Sequence, residues 1–226
     1  MTDFFRFPHT PHLAWLGKDM PRDDKVLSPE DAEALLKDRV VVEEKVDGAN
    51  VGISLAPSGE LRAQNRGQYL REPYAGQFSR LHGWLARHRE TLTANLERHL
   101  ILFGEWCAAR HSIDYDRLPD WFLVFDVYDR RAGRFWSKAR RDSLTTQLGL
   151  VAVECVYEGK TDLSHLRTLL EAARSFYREG PPEGFVIRRD VGDWSEGRAK
   201  LVRAEFTQSI ADHWRGRSIT WNRLRW

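Results

Sequence analysis

Lys45 is the residue with the most chemical potential in the chain. It closes the run Val40-Val-Val-Glu-Glu-Lys45 and is followed by Val-Asp47-Gly48-Ala-Asn-Val-Gly-Ile-Ser-Leu55. Two apolar, β-branched runs separated by Asp-Gly-Ala-Asn predict strand, turn, strand, a hairpin. Side chains two apart on a strand share a face, so Lys45 and Asp47 point the same way. Gly48 leaves room for a ligand to approach the backbone. The plain reading is a strand-end lysine snorkelling to water beside a turn. The chemical reading is a nucleophile that attacks a phosphate and forms a phosphoramidate. That requires a neutral amine, and at a free pKa of about 10.4 only roughly one lysine in a few thousand is neutral at pH 7. Desolvation or a nearby cation must lower the pKa. The Val40–Val42 run offers the first, and a divalent metal the second.

Other charged residues stand where a purely structural strand needs none: Arg66 in Asn-Arg-Gly, Glu105 in Phe-Gly-Glu-Trp, Glu183 in Pro-Glu-Gly-Phe-Val-Ile, and Lys200 in Arg-Ala-Lys-Leu-Val. Each alone has a plain reading. These are a turn arginine, a strand-end acid paired with a surface arginine, a loop acid in turn-forming Pro-Pro-Glu-Gly, and a solvent-facing lysine. His9 and His12 lack a third metal ligand. No Walker loop, Gly-x-Gly-x-x-Gly or serine-hydrolase elbow occurs.

The elements that must hold these residues follow from periodicity and caps. Ser28-Pro29-Glu30-Asp31 opens a helix ending near Asp38. A strand is predicted over 60–65, and a helix-rich stretch over 74–99 with Phe78, Leu81, Leu85, Leu92 and Leu96 as a stripe. Strands follow over 100–106 and 121–129, a helix over 137–148 and a strand over 151–156. A helix over 162–178 is capped by Asp162, with Gly180 beyond its end. Strands over 184–188 and 198–206 complete the core. Strands and helices do not alternate regularly, which predicts an α+β class with mostly antiparallel sheets and flanking helices.

The 226 residues fit one large domain or two small ones. A net charge of +2 excludes a global polycation. Seven lysines among 35 basic residues leave 28 arginines, whose forks suit phosphate or carboxylate. Cys107 and Cys155 give no disulfide framework and no zinc spacing, which suits a reducing, cytoplasmic compartment. No apolar span of membrane length and no signal-peptide pattern appear, so no membrane partner is expected.

Together the charged residues fall in one order. The sequence resembles the covalent nucleotidyltransferases, the polynucleotide ligases and mRNA capping enzymes. The matching stretches are Lys45-Val-Asp47-Gly48, Arg66, Phe-Gly-Glu105, Phe122–Val127, Glu183-Gly184-Phe-Val-Ile and Arg198-Ala-Lys200. The subtype resembles ATP-dependent, nick-joining RNA ligases, on residues 44–52, 104–115 and 125–129 and on Pro-His-Thr-Pro-His-Leu at 8–13. The resemblance implies an adenylation domain of the polynucleotide ligase type. Its partners would be ATP, Mg²⁺ (or Mn²⁺), and RNA with 5′-phosphate and 3′-hydroxyl ends. In these terms Lys45 takes AMP from ATP, and Glu44 sits by the adenine. Asp47 orients the lysine or metal-bound water, Arg66 meets ribose or phosphate, and Glu105 accepts from a ribose hydroxyl. Phe125 stacks on adenine, Glu183 binds metal with Asp47, and Lys200 contacts the α-phosphate.

Two departures stand out. The family's last motif carries two lysines one residue apart; here Arg198 and Lys200 take that spacing, unless the register is Lys200-Leu-Val202. An OB-fold, usual in DNA ligases and capping enzymes, has no room after the last motif. The expectation is one domain over 1–226 with a basic, aromatic tail over 207–226. That tail either binds RNA by arginine contact and stacking, or packs on the domain with Trp221 and Trp226 filling core gaps. A non-catalytic nucleotide- or RNA-binding module and a minimal DNA ligase stand as alternatives, and an accessory RNA-binding protein is a possible partner of the ligase.

Overall fold

The two apolar runs around Lys45 fold as strands, but not as a hairpin. In a computed structural model of the chain, which describes residues 4–18, 26–208 and 219–225, β1 (Val40–Lys45) and β2 (Ala49–Leu55) belong to different sheets. Val40, Val41, Val42 and Glu43 are all buried, so β1 is a central strand that needs partners on both edges. A hairpin would supply only one. Its neighbours are β8 (Cys155–Gly159) and β9 (Gly184–Val191), both antiparallel, with β10 (Trp194–Val202) outside β9. The second sheet runs β3 (Leu61–Gln64), β2, β4 (Leu100–Trp106), β5 (Phe122–Asp129), β6 (Arg134–Phe135), with β7 (Val151–Ala152) parallel to β5. Val46-Asp47-Gly48 is thus the passage from one sheet to the other.

The predicted α+β class, antiparallel sheets flanked by helices, is what forms, and the described residues contain no closed barrel. Helix α1 (Pro29–Leu36) starts at Ser28, whose Oγ accepts from Asp31 N–H at 3.1 Å. Helix α2 (Leu81–Asn95) covers the second sheet with Leu81, Leu85 and Leu92, joined by Leu96 just beyond its end. Helix α3 is Lys138–Gln147. Helix α4 (Leu163–Ala172), capped by Asp162 on His165 N–H at 2.8 Å, covers the first sheet with Leu166 and Leu170. Strand 151–156 splits, one half to each sheet. The last strand stops at Val202, and α5 (Ala204–Gln208) follows.

Helix α4 ends well short of residue 178. Ala173 already has ψ 143°. The loop beyond it brings Ser175 Oγ–H and Phe176 N–H to the Glu44 carboxylate, at 2.5 and 2.8 Å. Glu44 is only 2% exposed. A buried carboxylate needs donors, and that demand overrides local helix propensity.

Both terminal segments pack on the domain, and the first ties the sheets together. Phe5 stacks on Tyr128 of β5 with centroids 3.6 Å apart, and its carbonyl accepts from Gln64 of β3. A few residues on, the Pro11 carbonyl accepts from Lys200 N–H of β10 at 2.8 Å, and Leu13 N–H donates back to Lys200. Segment 4–13 therefore bridges both sheets. At the other terminus, residues 219–225 pack on the domain. Asn222 Nδ2 donates to the Cys107 carbonyl at 2.7 Å, its Oδ1 accepts from Tyr115 N–H, and Arg80 lies 4.2 Å over the Trp221 ring. Trp214, Arg215, Arg217 and Trp226 lie outside the described residues.

Between the sheets runs a buried ion network. Arg141 of α3 pairs with Glu43 of β1 at 2.6 Å. Arg188 of β9 meets Glu43 at 3.7 Å, Asp126 of β5 at 3.3 Å and Asp190 at 3.2 Å. Both guanidinium groups also donate to the Phe125 carbonyl.

Removing one member of a buried network leaves the others uncompensated. Arg141→Met should therefore lower the unfolding free energy by about 3–5 kcal/mol in urea titration, and adding Glu43→Gln should restore much of it. Glu44 yields a pH dependence. Burial pushes its carboxyl up to about 7, against the pull of Ser175, Phe176 and Arg178. An acid whose folded pKa is raised costs stability as it ionises. Melting should thus lose stability as pH rises from about 4.5 to about 7, by on the order of 3 kcal/mol. Glu44→Gln should remove its share of that loss and leave the share of Glu105, whose carboxyl is also raised to about 7; an unchanged slope would show that Glu44 contributes none.

Candidate active site

The end of β1 opens into a pocket of about 790 Å³ between the sheets. β1 supplies Glu43, Glu44 and Lys45; β10 supplies Arg198 and Lys200; Phe125 and Asp126 come from β5. Lys45 pairs in register with Gly184, the first residue of β9, so the residue before it, Glu183, arrives beside the amine. Lys45 Nζ donates to Glu183 Oε2 at 2.6 Å. A Cβ on Gly184 would collide with the Leu201 carbonyl, so only glycine lets β9 approach β10 here.

Burial alone pulls the Lys45 ammonium down, but the Glu183, Asp47 and Glu105 carboxylates outweigh it and hold the pKa above its ordinary value. The amine is therefore charged in the free protein. The same burial raises the acids. Glu105 is pushed up to about 7, with Lys45 opposing and Asp47 and Glu183 adding to the rise. Glu183 is raised too, against the pull of Lys45 and Lys200. Lys45 thus sits among three acids, and the charges of Arg66 and Lys200 reach Glu105 and Glu183 as well.

Asp47 does not reach Lys45 by hydrogen bond. Its Oδ2 accepts from Ser112 N–H at 2.7 Å and Ile113 N–H at 3.2 Å, and its own N–H donates to the Tyr115 hydroxyl. It acts on Lys45 through its charge. Gly48 lines the pocket and also makes room for β4: a Cβ there would lie 2.5 Å from the Trp106 carbonyl. Its N–H donates to Glu105 Oε1 at 3.0 Å. Among the described residues no group of three His, Cys, Asp or Glu side chains could hold a metal ion. The donors present are paired carboxylates, the supply that Mg²⁺ uses when it keeps several waters.

The remaining predicted residues divide. Arg66 and Lys200 line the pocket, and buried Arg66 Nε has no hydrogen-bond partner in the protein. An unmet buried donor in a pocket wall is costly unless a ligand takes it. Asn50 Oδ1, in the same wall, is likewise unmet. Phe125 lines the pocket because of a β-bulge. Phe103 of β4 pairs with Asp126 and Gly104 with Val124, so Phe125 is the extra residue. Glu44 contributes to the wall, yet its carboxylate is held by Ser175 and Phe176. Arg198 does not extend its guanidinium freely beside Lys200. It ion-pairs with Asp126 and lies 4.0 Å over the Phe135 ring and 4.9 Å over Phe7.

Sequence reasoning gave no role to Glu43, Asp126, Arg141, Arg188 or Tyr115. For the first four a signal existed: acids and arginines inside or closing apolar strands, and an arginine on a helix, of complementary sign. Their pairing was not legible, because strand order was not.

The family model described as RNA ligase matches residues 38–202. No curated protein sequence matches the chain. Among solved structures, a Naegleria gruberi RNA ligase variant with ATP and Mn superposes with a TM-score of 0.68 at 16% identity, covering 92% of this chain and 59% of that one. A second variant of the same ligase, also with ATP and Mn, gives 0.68 at 18% identity, covering 94% and 60%. A third, with AMP and Mn, gives 0.67 at 16% identity, covering 92% and 65%. The chain thus spans less than two thirds of the length of these ligases, with which it shares its fold. The family match takes in every strand that builds the pocket, from β1 to β10, and by it the chain belongs to the RNA ligase family.

Proposed function

We propose that the chain is an ATP-dependent ligase that joins 5′-phosphate and 3′-hydroxyl RNA ends through a lysyl-AMP intermediate, in RNA repair. The observation that carries this is the Lys45–Glu183 contact of 2.6 Å, set in a pocket wall that also holds Lys200 and Arg66, whose Nε has no hydrogen-bond partner. The structures of the Naegleria gruberi ligase with ATP and Mn, with AMP and Mn, and with PPi support the same set of small molecules.

In this reading Lys45 Nζ attacks the α-phosphorus of ATP. The ammonium first gives its proton to water; a P–N bond then forms and the P–O bond to pyrophosphate breaks. The AMP then passes to the 5′-phosphate of RNA, and the 3′-hydroxyl displaces it to make the phosphodiester. All three steps need in-line placement and neutralised oxygens rather than acid–base work on carbon. Lys200 meets the α-phosphate, Arg66 meets ribose or phosphate, Glu105 accepts from a ribose hydroxyl, and Phe125 stacks on the adenine. Glu44 holds its neighbour Lys45 in line through the loop after α4. Magnesium or manganese, held by Glu183 and Asp47 with water, would neutralise phosphate oxygens and relieve the carboxylate hold on the Lys45 ammonium.

The chain acts as one adenylyltransferase domain over 1–226, its 207–226 tail supplying RNA contacts where it does not pack. An accessory RNA-binding protein and a cytoplasmic location fit the same reading. Among the described residues no helix is long and apolar enough to cross a membrane, and Cys107 and Cys155 are free.

Incubation with Mg²⁺ and ATP labelled on its α-phosphate should transfer label to the protein on a denaturing gel, and Lys45→Ala should abolish it. A folded wild type without label, in any nucleotide or metal, would sink the enzyme and favour a binding module. Lys200→Ala should slow labelling by about 100-fold or more, the loss expected for one preorganised charge contact. Near-normal labelling would show that Lys200 is not the α-phosphate contact.

A further inference from the structure

Arg198 stands where the family resemblance puts a phosphate-binding cation. The geometry points elsewhere. Its side chain is 14% exposed, and its guanidinium pairs with Asp126, whose side chain is 4% exposed. Phe7 and Phe135 give it ring faces at 4.9 and 4.0 Å. A guanidinium flanked by aromatic rings and fixed on a buried carboxylate is held in place on several sides. Asp126 also meets Arg188 at 3.3 Å. That arginine donates to the carbonyl of Phe125 at 3.1 Å, and Arg141 donates to the same carbonyl at 2.8 Å. Phe125 is itself the bulged residue of β5, and Phe7 packs edge-on against its ring with centroids 5.3 Å apart. Two of the three groups that Arg198 touches, the Asp126 carboxylate and the Phe7 ring, adjoin or touch Phe125 in turn, and the third, Phe135, packs on Phe7.

Resting on the nucleotide-binding reading above, we infer that Arg198 is a positioning residue: through Asp126 and Phe7 it fixes the Phe125 ring as the platform for the nucleobase, and it does not bind phosphate. A bulged residue gains no orientation from a regular ladder, so its ring must be placed by what surrounds it. Arg198 and Arg188 brace Asp126 from two strands of the opposite sheet. Lys200, two residues from Arg198 along β10, is left as the cation of that strand nearest Glu183, whose carboxyl feels its charge.

The test compares ligands that differ only in phosphate. Binding of ATP, AMP and adenosine to Arg198→Met should weaken by a similar factor, roughly tenfold, within the range for disturbing one base–aromatic stack. The KM for ATP in lysine labelling should rise accordingly, with a much smaller change in the saturated rate. Weakened ATP and AMP with unchanged adenosine would make Arg198 a phosphate ligand and overturn the inference, as would three unchanged affinities. Asp126→Asn provides the same test from the other partner, should Arg198→Met fold poorly. It should also weaken adenosine, and the double variant should be no worse than either single one. Losses that simply add would overturn the coupling. Wild-type protein that binds none of the three ligands and takes no label would instead defeat the nucleotide reading itself.

Discussion

The site depends on burying one ammonium among three carboxylates. Lys45 is close to 2.6 Å from Glu183, and the charges of Asp47 and Glu105 reach it as well. These four groups come from three separate stretches of chain, and each is placed by a backbone constraint. Glu183 arrives by the pairing of Lys45 with Gly184, Glu105 by the Gly48 N–H, and Asp47 by the loop at Ser112 and Ile113. The free energy of the cluster is therefore linked to the register of both sheets. A one-residue slip of β9 would carry Glu183 away and turn the apolar face of the strand outward.

A second electrostatic layer lies beneath the first. Glu43, Arg141, Arg188, Asp126 and Arg198 pair as ions where two sheets would otherwise meet through apolar residues. Such networks often stabilise less than a hydrophobic core of equal volume. What they add is directionality: an ion pair fixes angles that a methyl group does not. Here the direction that matters is that of Phe125, whose carbonyl takes two of the arginine donors.

Much of this was legible in the residues. The motif residues Lys45, Glu105, Glu183 and Lys200 come together as their order suggests, the caps at Ser28 and Asp162 form, and the α+β class holds. The failures share one cause. A hairpin after Lys45 and a helix running to 178 both rest on local pattern. Each yields to a distant partner: β8 and β9 for β1, and Glu44 for the segment at Ser175. Local propensity is worth tenths of a kcal/mol per residue, and a buried unpaired acid costs several times that.

The segment from Phe5 to Leu13 carries a mechanical consequence. It is bonded to β3 and β5 on one side and to β10 on the other, and it contributes Phe7, His9 and Thr10 to the wall between. A chain of fixed contour length fastened at both ends sets an upper limit on how far its anchors can separate. The stretch between Phe5 and Leu13 thus caps the distance between β5 and β10 along this side of the pocket, as the backbone at 46–48 does where β1 passes into β2.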